Sequence, residues 1–235
     1  MSWTEEEGYA LWLKLTEMFR DKFRIEWMSA QPHPDHFDHW IDILVWRTQK
    51  FPIFAERGIF SLNVIPRGAT VLDLACGDGS YPAMFYSNVA SHILAVDIGK
   101  PAIEHAKKWH SRDNIEYRVE DILKFDPQKT FDVVILNAAV EHFVLDDIVR
   151  VVQKCKAWTA PGGVFCGSSI QRNGPLVHSQ HGYEFSSIQE VGELMKRVGG
   201  WAHTFVRDTS YTPERVNLYW RCSDKEDRIK DFYEV

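Results

Sequence analysis

From residue 70 onward, short apolar runs alternate with segments in which apolar residues recur every three or four positions. The runs predict strands at 70–74, 92–97, 115–119, 131–136 and 163–169, and the periodic segments predict helices at about 81–88, 101–110, 145–159 and 187–198. Such alternation implies a parallel, doubly wound sheet. The helix at 145–159 puts Leu145, Ile148, Val149 and Val152 on one face, and Pro161-Gly162-Gly163 stops it. Ser187-Ile188-Gln189-Glu190 has the spacing of a capping box, and Gly199-Gly200 ends that helix. Two further strands, 202–207 and 216–222, are joined by a short turn around Tyr211-Thr212-Pro213, which predicts an antiparallel pair at the end of the sheet.

The first 66 residues read differently. Tyr9, Trp12, Leu13, Leu15, Met18, Phe19 and Phe23 fall at mostly helical intervals, and Gln31-Pro32-His33-Pro34-Asp35 breaks the pattern. A second helical stretch, 37–47, turns Trp40, Ile41, Leu44 and Val45 inward. Residues 51–66 read as a helix or two interrupted by Pro52, Gly58 and Pro66. Residues 1–66 are therefore expected to form a helical cap, a lid over the sheet's carboxyl edge, ahead of a main domain at 67–235.

A chain of 235 residues, 45% hydrophobic and 26% charged, can bury a full core. Its net charge of -6, without Lys/Arg runs, argues against nucleic acid or an anionic membrane as the main partner. The start, Met1-Ser2-Trp3-Thr4-Glu5-Glu6-Glu7, is acidic where a secretory leader is basic, and no apolar run is long enough to cross a bilayer, so a cytoplasmic location is expected. The four cysteines, Cys76, Cys155, Cys166 and Cys222, show neither zinc nor disulfide spacing. His33, Asp35, His36, Asp38 and His39 straddle a proline without a metal-ligand spacing and read as a solvated turn, so no metal is expected.

The candidate chemistry gathers where the first strand meets its helix, Val71-Leu72-Asp73-Leu74-Ala75-Cys76-Gly77-Asp78-Gly79-Ser80. Glycines there let the chain bend and let a ligand approach, and the free amides of a helix start favour a small molecule. Asp97 ends the second strand 20 residues after Gly77, where a carboxylate accepts from ribose hydroxyls. That suits either of two nucleoside cofactors. The dinucleotide fingerprint is poorly met, because Ala75, Gly77 and Ser80 stand at its glycine positions, and Asp73 would oppose a pyrophosphate but suit an ammonium and a sulfonium. Cys76 reads as a small filler of the loop.

Asp73-Leu74-Ala75-Cys76-Gly77-Asp78-Gly79 resembles the first motif of class I S-adenosylmethionine-dependent methyltransferases, and Ala95-Val96-Asp97-Ile98-Gly99-Lys100 resembles the end of their second strand and the segment after it. Val119-Glu120-Asp121-Ile122 resembles the place where the family's acidic side chain meets the adenine amino group beside an apolar residue. The run from Phe131 to Asn137 and on to His142 resembles the fourth strand and the loop over the reacting centre, and Pro161-Gly162-Gly163 completes the set. The resemblance implies a Rossmann-like seven-stranded α/β sheet with six parallel strands and one antiparallel. It implies S-adenosylmethionine as cofactor and S-adenosylhomocysteine as product, held by Asp73, Ala75, Cys76, Gly77, Gly79, Asp97, Ile98, Asp121, Ile122 and Asn137. Ala75 replaces the family's usual first glycine, which is expected to be tolerated with φ below zero. Asp121 has the alternative reading of a turn cap.

Asn137 lacks a following Pro-Pro-aromatic, which lowers N-methylation of nucleic acid bases or glutamine. His181-Gly182-Tyr183-Glu184-Phe185-Ser186 is similar to a pattern in bacterial methyltransferases of sugars and secondary metabolites. An oxygen acceptor gains from losing its proton during attack, and His142, just beyond the fourth strand, is the first candidate base, with His181 and His178 competing. His142 has the alternative of simply beginning the next helix. The reading is O-methylation of a small polar acceptor such as a sugar or natural-product intermediate, with a homodimer admitted. The alternatives are a small-molecule N-methyltransferase, a non-catalytic S-adenosylmethionine-binding module and a nicotinamide oxidoreductase.

Overall fold

Along the first strand Val71 packs to one side and Leu72 and Leu74 to the other, and this alternation sets the two apolar layers of the molecule. The structure is a computed structural model describing residues 53–172, 181–212 and 215–229, together with Ala10 and Lys14. Its elements are α1 (Ile53–Leu62), β1 (Thr70–Leu74), a π turn (Pro82–Tyr86), β2 (His92–Asp97), α2 (Lys100–Trp109) and β3 (Ile115–Val119). They continue with β4 (Phe131–Asn137), a 3-10 turn (Val140–His142), α3 (Leu145–Trp158), β5 (Thr159–Ile170), α4 (Ile188–Arg197), β6 (His203–Thr212) and β7 (Arg215–Ser223), before a short 3-10 turn (Glu226–Arg228).

The sheet has seven strands in the order β3-β2-β1-β4-β5-β7-β6. The first five strands run parallel, β7 runs antiparallel to both β5 and β6, and β6 therefore shares the direction of the others. The sequence-based expectation of six parallel strands and one antiparallel holds. Strand order reverses between β1 and its neighbours β2 and β4, so the loop after β1 opens onto the crevice where doubly wound sheets hold ligands.

One face of the sheet buries Leu72, Leu94, Val134 and Phe165 against Ile148 and Val152 of α3 and Val191 and Met195 of α4. The other buries Val71, Ile93, Val133 and Cys166 against Phe60 of α1, Tyr86, and Ile103 and Ala106 of α2. Each fully buried aliphatic side chain contributes about 1.5–3 kcal/mol, so both layers are needed to hold the sheet flat against its helices.

Several boundaries depart from the pattern. Where a regular helix is predicted at 81–88, Ser87 N–H donates to Pro82 O at 2.9 Å, a π spacing. This wide turn lets Phe85 lie so close to Gly58 that an added Cβ would sit 2.4 Å from its ring. β5 begins at Thr159, before the Pro161-Gly162-Gly163 expected only to stop the helix, because Thr159 pairs with Phe131 and the next pair is Val133 with Val164. Residues 160–163 are a bulge with Gly162 at φ 75°. At α4, Ser187 Oγ accepts from Glu190 N at 3.2 Å, while Glu190 Oε2 reaches back to Ser186 N at 2.7 Å, one residue earlier than a standard box.

α1 is the described part of the expected cap, and it packs on a sheet face. Glu56 Oε1 accepts from Arg207 Nη2 at 3.0 Å and from Thr209 Oγ1 at 3.1 Å, and the Arg221 guanidinium covers the Phe60 ring at 4.1 Å. The helices expected at 3–28 and 37–47, the 31–35 break and the histidine-aspartate cluster at 33–39 lie outside the described residues.

Candidate active site

The loop after β1 is built by backbone conformation. Ala75 has φ 53°, Gly77 φ 56° and Gly79 φ 80°. The expectation that Ala75 sits at negative φ is thus corrected: it takes the left-handed conformation of the glycine it replaces, at about 1–2 kcal/mol of Cβ strain. Cys76 N still donates to Val96 O at 3.0 Å, which extends the β1–β2 ladder by one bond. Burial, then Asp73, Asp97 and Asp78, push the Cys76 thiol far up, so it is an inert filler.

The two glycines serve different ends. A Cβ on Gly79 would stand 2.7 Å from Tyr117 Oη and 2.8 Å from Ala106 Cβ, so Gly79 lets β3 and α2 close on the loop. A Cβ on Gly77 would meet nothing within 4 Å, which leaves that side of the loop open. Asp97 stands beside it as the spacing requires, accepting from Gly77 N at 2.9 Å and Gly99 N at 2.7 Å. Each of its oxygens keeps a lone pair for a further donor. Next to it Ile98 is 71% exposed, an apolar side chain left uncovered at the mouth of the crevice.

Asp73 is buried, and its Oδ2 has no hydrogen-bond partner. Burial and then the Asp97 charge push its carboxyl from 3.8 up to about 8. Arg57 of α1 is also buried, with Nε unpartnered, and faces Tyr81 at the start of the π turn. Burial pushes the Tyr81 phenol up to about 12, with Arg57 pulling it down and Asp78 and Asp73 pushing it further up. One cation and two carboxylates therefore act on a single buried phenol.

The loop after β3 differs from expectation in its details. Asp121 Oδ1 accepts from Leu123 N at 3.0 Å and Oδ2 lies 3.1 Å from Lys124 Nζ, with the Lys124 hydrogen bond holding its carboxyl below the usual range. That is the turn-capping alternative. Ile122, the apolar residue expected beside the adenine, is buried in the apolar layer of α3, while Ile98 is exposed. Lys154 of α3 ties this loop down by donating to the carbonyls of Ile122, Leu123 and Phe125 at 3.2, 2.8 and 2.9 Å.

The Asn137 amide is spent inside the protein. Its Nδ2 donates to Ser61 Oγ at 3.0 Å and Tyr86 Oη at 3.3 Å, and its Oδ1 accepts from Ser168 Oγ at 3.0 Å. It joins α1, the π turn and β5 at the end of β4, so what it offers a ligand is its main chain.

The 3-10 turn after β4 and the segment at 181–185 come together. His142 is exposed, and its ring meets that of His181 edge-on at 5.1 Å. His181 Nδ1 lies 2.5 Å from Glu184 Oε1, and the Glu184 side chain is wholly buried. Gly182 N and Tyr183 N both donate to Glu141 O, at 2.9 and 3.2 Å, while Glu141 Oε2 accepts from Ser169 Oγ at 3.1 Å. His178 lies outside the described residues. Among those described, no group of three His, Cys, Asp or Glu could hold a metal ion.

With this geometry in hand, comparison with known proteins is decisive for the domain. The sequence pattern of the methyltransferase-domain family matches residues 71–163, which run from β1 to the β5 bulge. These residues form a methyltransferase domain. A ubiquinone biosynthesis O-methyltransferase of Bradyrhizobium sp. (strain ORS 278) is 33% identical over 122 residues, which are 50% of this chain and 46% of that protein. The chain thus spans about half the length of the curated relatives it matches. Among solved structures, the N-methyltransferase NodS from Bradyrhizobium japonicum WM9 with S-adenosyl-L-homocysteine superposes with a TM-score of 0.61 at 16% identity, covering 77% of this chain and 92% of NodS. The DhpI-SAH complex superposes at 0.59 and 19% identity, covering 90% of this chain and 98% of DhpI. At these identities the likeness establishes the fold.

Three side chains were not singled out from the sequence. Arg57 and Lys154 lie outside every motif, although a charge in the apolar run Ile53-Phe54-Ala55-Glu56-Arg57-Gly58-Ile59-Phe60 was a signal. Glu184 was legible as part of a pattern but without a role.

Proposed function

We propose that this chain is an S-adenosylmethionine-dependent methyltransferase that methylates an oxygen of a small hydroxylated acceptor, such as a sugar or a natural-product intermediate. The observation that carries the reading is Asp73, a buried carboxyl with an unpartnered oxygen beside the open face of the loop. An ammonium is the chemistry that would favour its ionised form, and the buried Arg57 suits a carboxylate, so together they fit the zwitterionic end of an amino-acid cofactor. A pyrophosphate would meet two carboxylates there.

In this reading Asp97 accepts from the ribose hydroxyls, Ile98 covers the adenine, and Ala75, Cys76, Gly77 and Gly79 shape the loop that takes the methionine end. Asp121 and Ile122 frame the adenine side through their turn, and Asn137 fixes the end of β4 beneath the reacting centre. S-adenosylmethionine held there would supply a methyl carbon carried on a sulfonium, with S-adenosylhomocysteine as the product. The protein aligns the acceptor oxygen with that carbon, which lowers the entropic part of the barrier. The names of the curated relatives support oxygen as the receiving atom. The net charge of -6 supports a small acceptor over nucleic acid, and among the described residues no helix is long and apolar enough to cross a membrane.

The test is incubation with methyl-labelled S-adenosylmethionine and a panel of catechols, free sugars and primary amines. Label on oxygen, with S-adenosylhomocysteine formed in equal amount, is the expected result. Label on nitrogen would move the reading to N-methylation, and tight cofactor binding without product across the panel would point to a non-catalytic module.

A further inference from the structure

We propose that the amino edge of the sheet carries an anion site, separate from the crevice after β1, in which Arg67, Lys225 and Arg228 take the phosphoryl group of a small phosphomonoester. The inference stands apart from the methyl-transfer reading, because it uses none of the residues assigned to the cofactor. The two places lie at opposite ends of β1, about 15 Å apart for five residues of extended chain.

The strands β1, β4 and β5 begin at this edge, and the antiparallel β7 ends there. A cavity of about 370 Å3 opens between their ends, with Arg67 and Gly68 before β1, Asp132 of β4, Gly162 in the β5 bulge, and Lys225 and Arg228 after β7 in its walls. Three cations from two distant chain segments thus face one space. Each is placed by its turn. Ala69 N donates to Pro66 O at 3.1 Å and Gly68 takes φ 83°, which puts Arg67 at the corner of the turn leading into β1. Arg228 N donates to Lys225 O at 3.2 Å, so these two side chains, three residues apart on a 3-10 turn, project to the same side. A Cβ on Gly162 would stand 2.8 Å from Lys225 Cε, so glycine there lets the lysine stem lie along the bulge.

The nearby carboxylates are already answered by other groups. Asp132 Oδ2 accepts from Thr70 N and Thr70 Oγ1, both at 2.8 Å, and the two oxygens of Asp224 take Lys156 Nζ at 2.7 and 2.8 Å. Among the described residues Arg67, Lys225 and Arg228 form no ion pair, and the side-chain hydrogen bond they do make is from Arg228 Nη2 to Val64 O at 3.5 Å. Like charges gathered without a counter-ion raise the local potential, and the walls of a cleft focus it on an anion. A monocarboxylate would answer one of the three cations. A phosphoryl dianion answers two and offers the acceptor oxygens that a guanidinium fork fits. The cavity volume falls at the small end of ligand pockets, which leaves room for a short organic group beside the phosphoryl.

The site is tested by 1H–15N correlation NMR of the full chain, titrated at constant ionic strength with glycerol 3-phosphate, inorganic phosphate or chloride. Saturable shifts at the Arg67, Gly68, Gly162 and Gly163 amides with both phosphates, and none with chloride, are the expected result. Arg67→Gln and Lys225→Gln replace exposed side chains and should each weaken the binding about tenfold. Shifts that never saturate, that chloride reproduces, or that persist unchanged in the folded double variant overturn the proposal. If the variants do not fold, the wild-type titration decides. S-adenosylhomocysteine added to the same sample should leave the phosphate shifts in place. Its displacing the phosphate would move the anion to the crevice after β1 and overturn the proposal as well.

Discussion

Asp73 and Asp97 end in the same crevice from adjacent strands, yet only Asp97 has both oxygens answered by the protein, through Gly77 N and Gly99 N, while Asp73 Oδ2 has no partner. Burial and the Asp97 charge hold the Asp73 proton up to about pH 8. Between its ordinary value of 3.8 and about 8 the unfolded chain has ionised this group and the folded chain has not, so its contribution to stability falls as pH rises through that window. Asp73→Asn should therefore stabilise the ligand-free protein at pH 8, by a few kcal/mol at most, and weaken S-adenosylhomocysteine binding at least tenfold. Thermal melts and calorimetry on the same samples check both signs. A variant that lost stability at pH 8, or kept full affinity, would contradict the role given to Asp73.

Ala75 at φ 53° carries strain that glycine would not. Replacing it should remove about 1–2 kcal/mol of Cβ strain and return roughly 0.5–1 kcal/mol as chain entropy of the unfolded state. Ala75→Gly is expected to raise the melting temperature by about 2–4 °C, with cofactor affinity unchanged.

Gly77→Ala and Gly79→Ala should separate. Both positions have positive φ, but only at Gly79 does a Cβ run into Tyr117 and Ala106. Gly79→Ala is expected to cost roughly 2–4 kcal/mol of stability in urea unfolding. Gly77→Ala should cost only about 1 kcal/mol and lose affinity for S-adenosylhomocysteine, because its methyl group enters the open side of the loop.

Lys154 donates to three carbonyls of the loop after β3. Lys154→Met keeps the length of the side chain and loses the charge, and should cost about 1.5–3 kcal/mol in urea unfolding. The loop it releases carries Asp121, so cofactor affinity should fall with it.

The sheet was legible because its strands are short apolar runs separated by periodic helices, a signal carried by local sequence. The bounds of β1, β2 and β3 are those that the pattern predicts. The features that escaped depend on distant contacts. The sign of φ at Ala75 is set by the loop closing on β2, and the π turn occurs where Phe85 lies against Gly58 of α1. The consumption of the Asn137 amide by Ser61, Tyr86 and Ser168 joins four chain segments that no local window contains. The spacing of Asp97 was readable because a strand and a helix of ordinary length fix it. The pairing of His181 with Glu184 was visible as a motif, while its place beside His142 depends on the Glu141 carbonyl holding both segments.

The central claim is that the loop after β1, with Asp97 beside it, holds a nucleoside that carries a cationic amino-acid end. Its most direct measurement is calorimetric titration of S-adenosylhomocysteine into the wild-type chain and into Asp97→Ala. The account predicts one molecule bound per chain and a loss of binding of at least tenfold in the variant. No binding to the wild type, or equal binding to both, would contradict it.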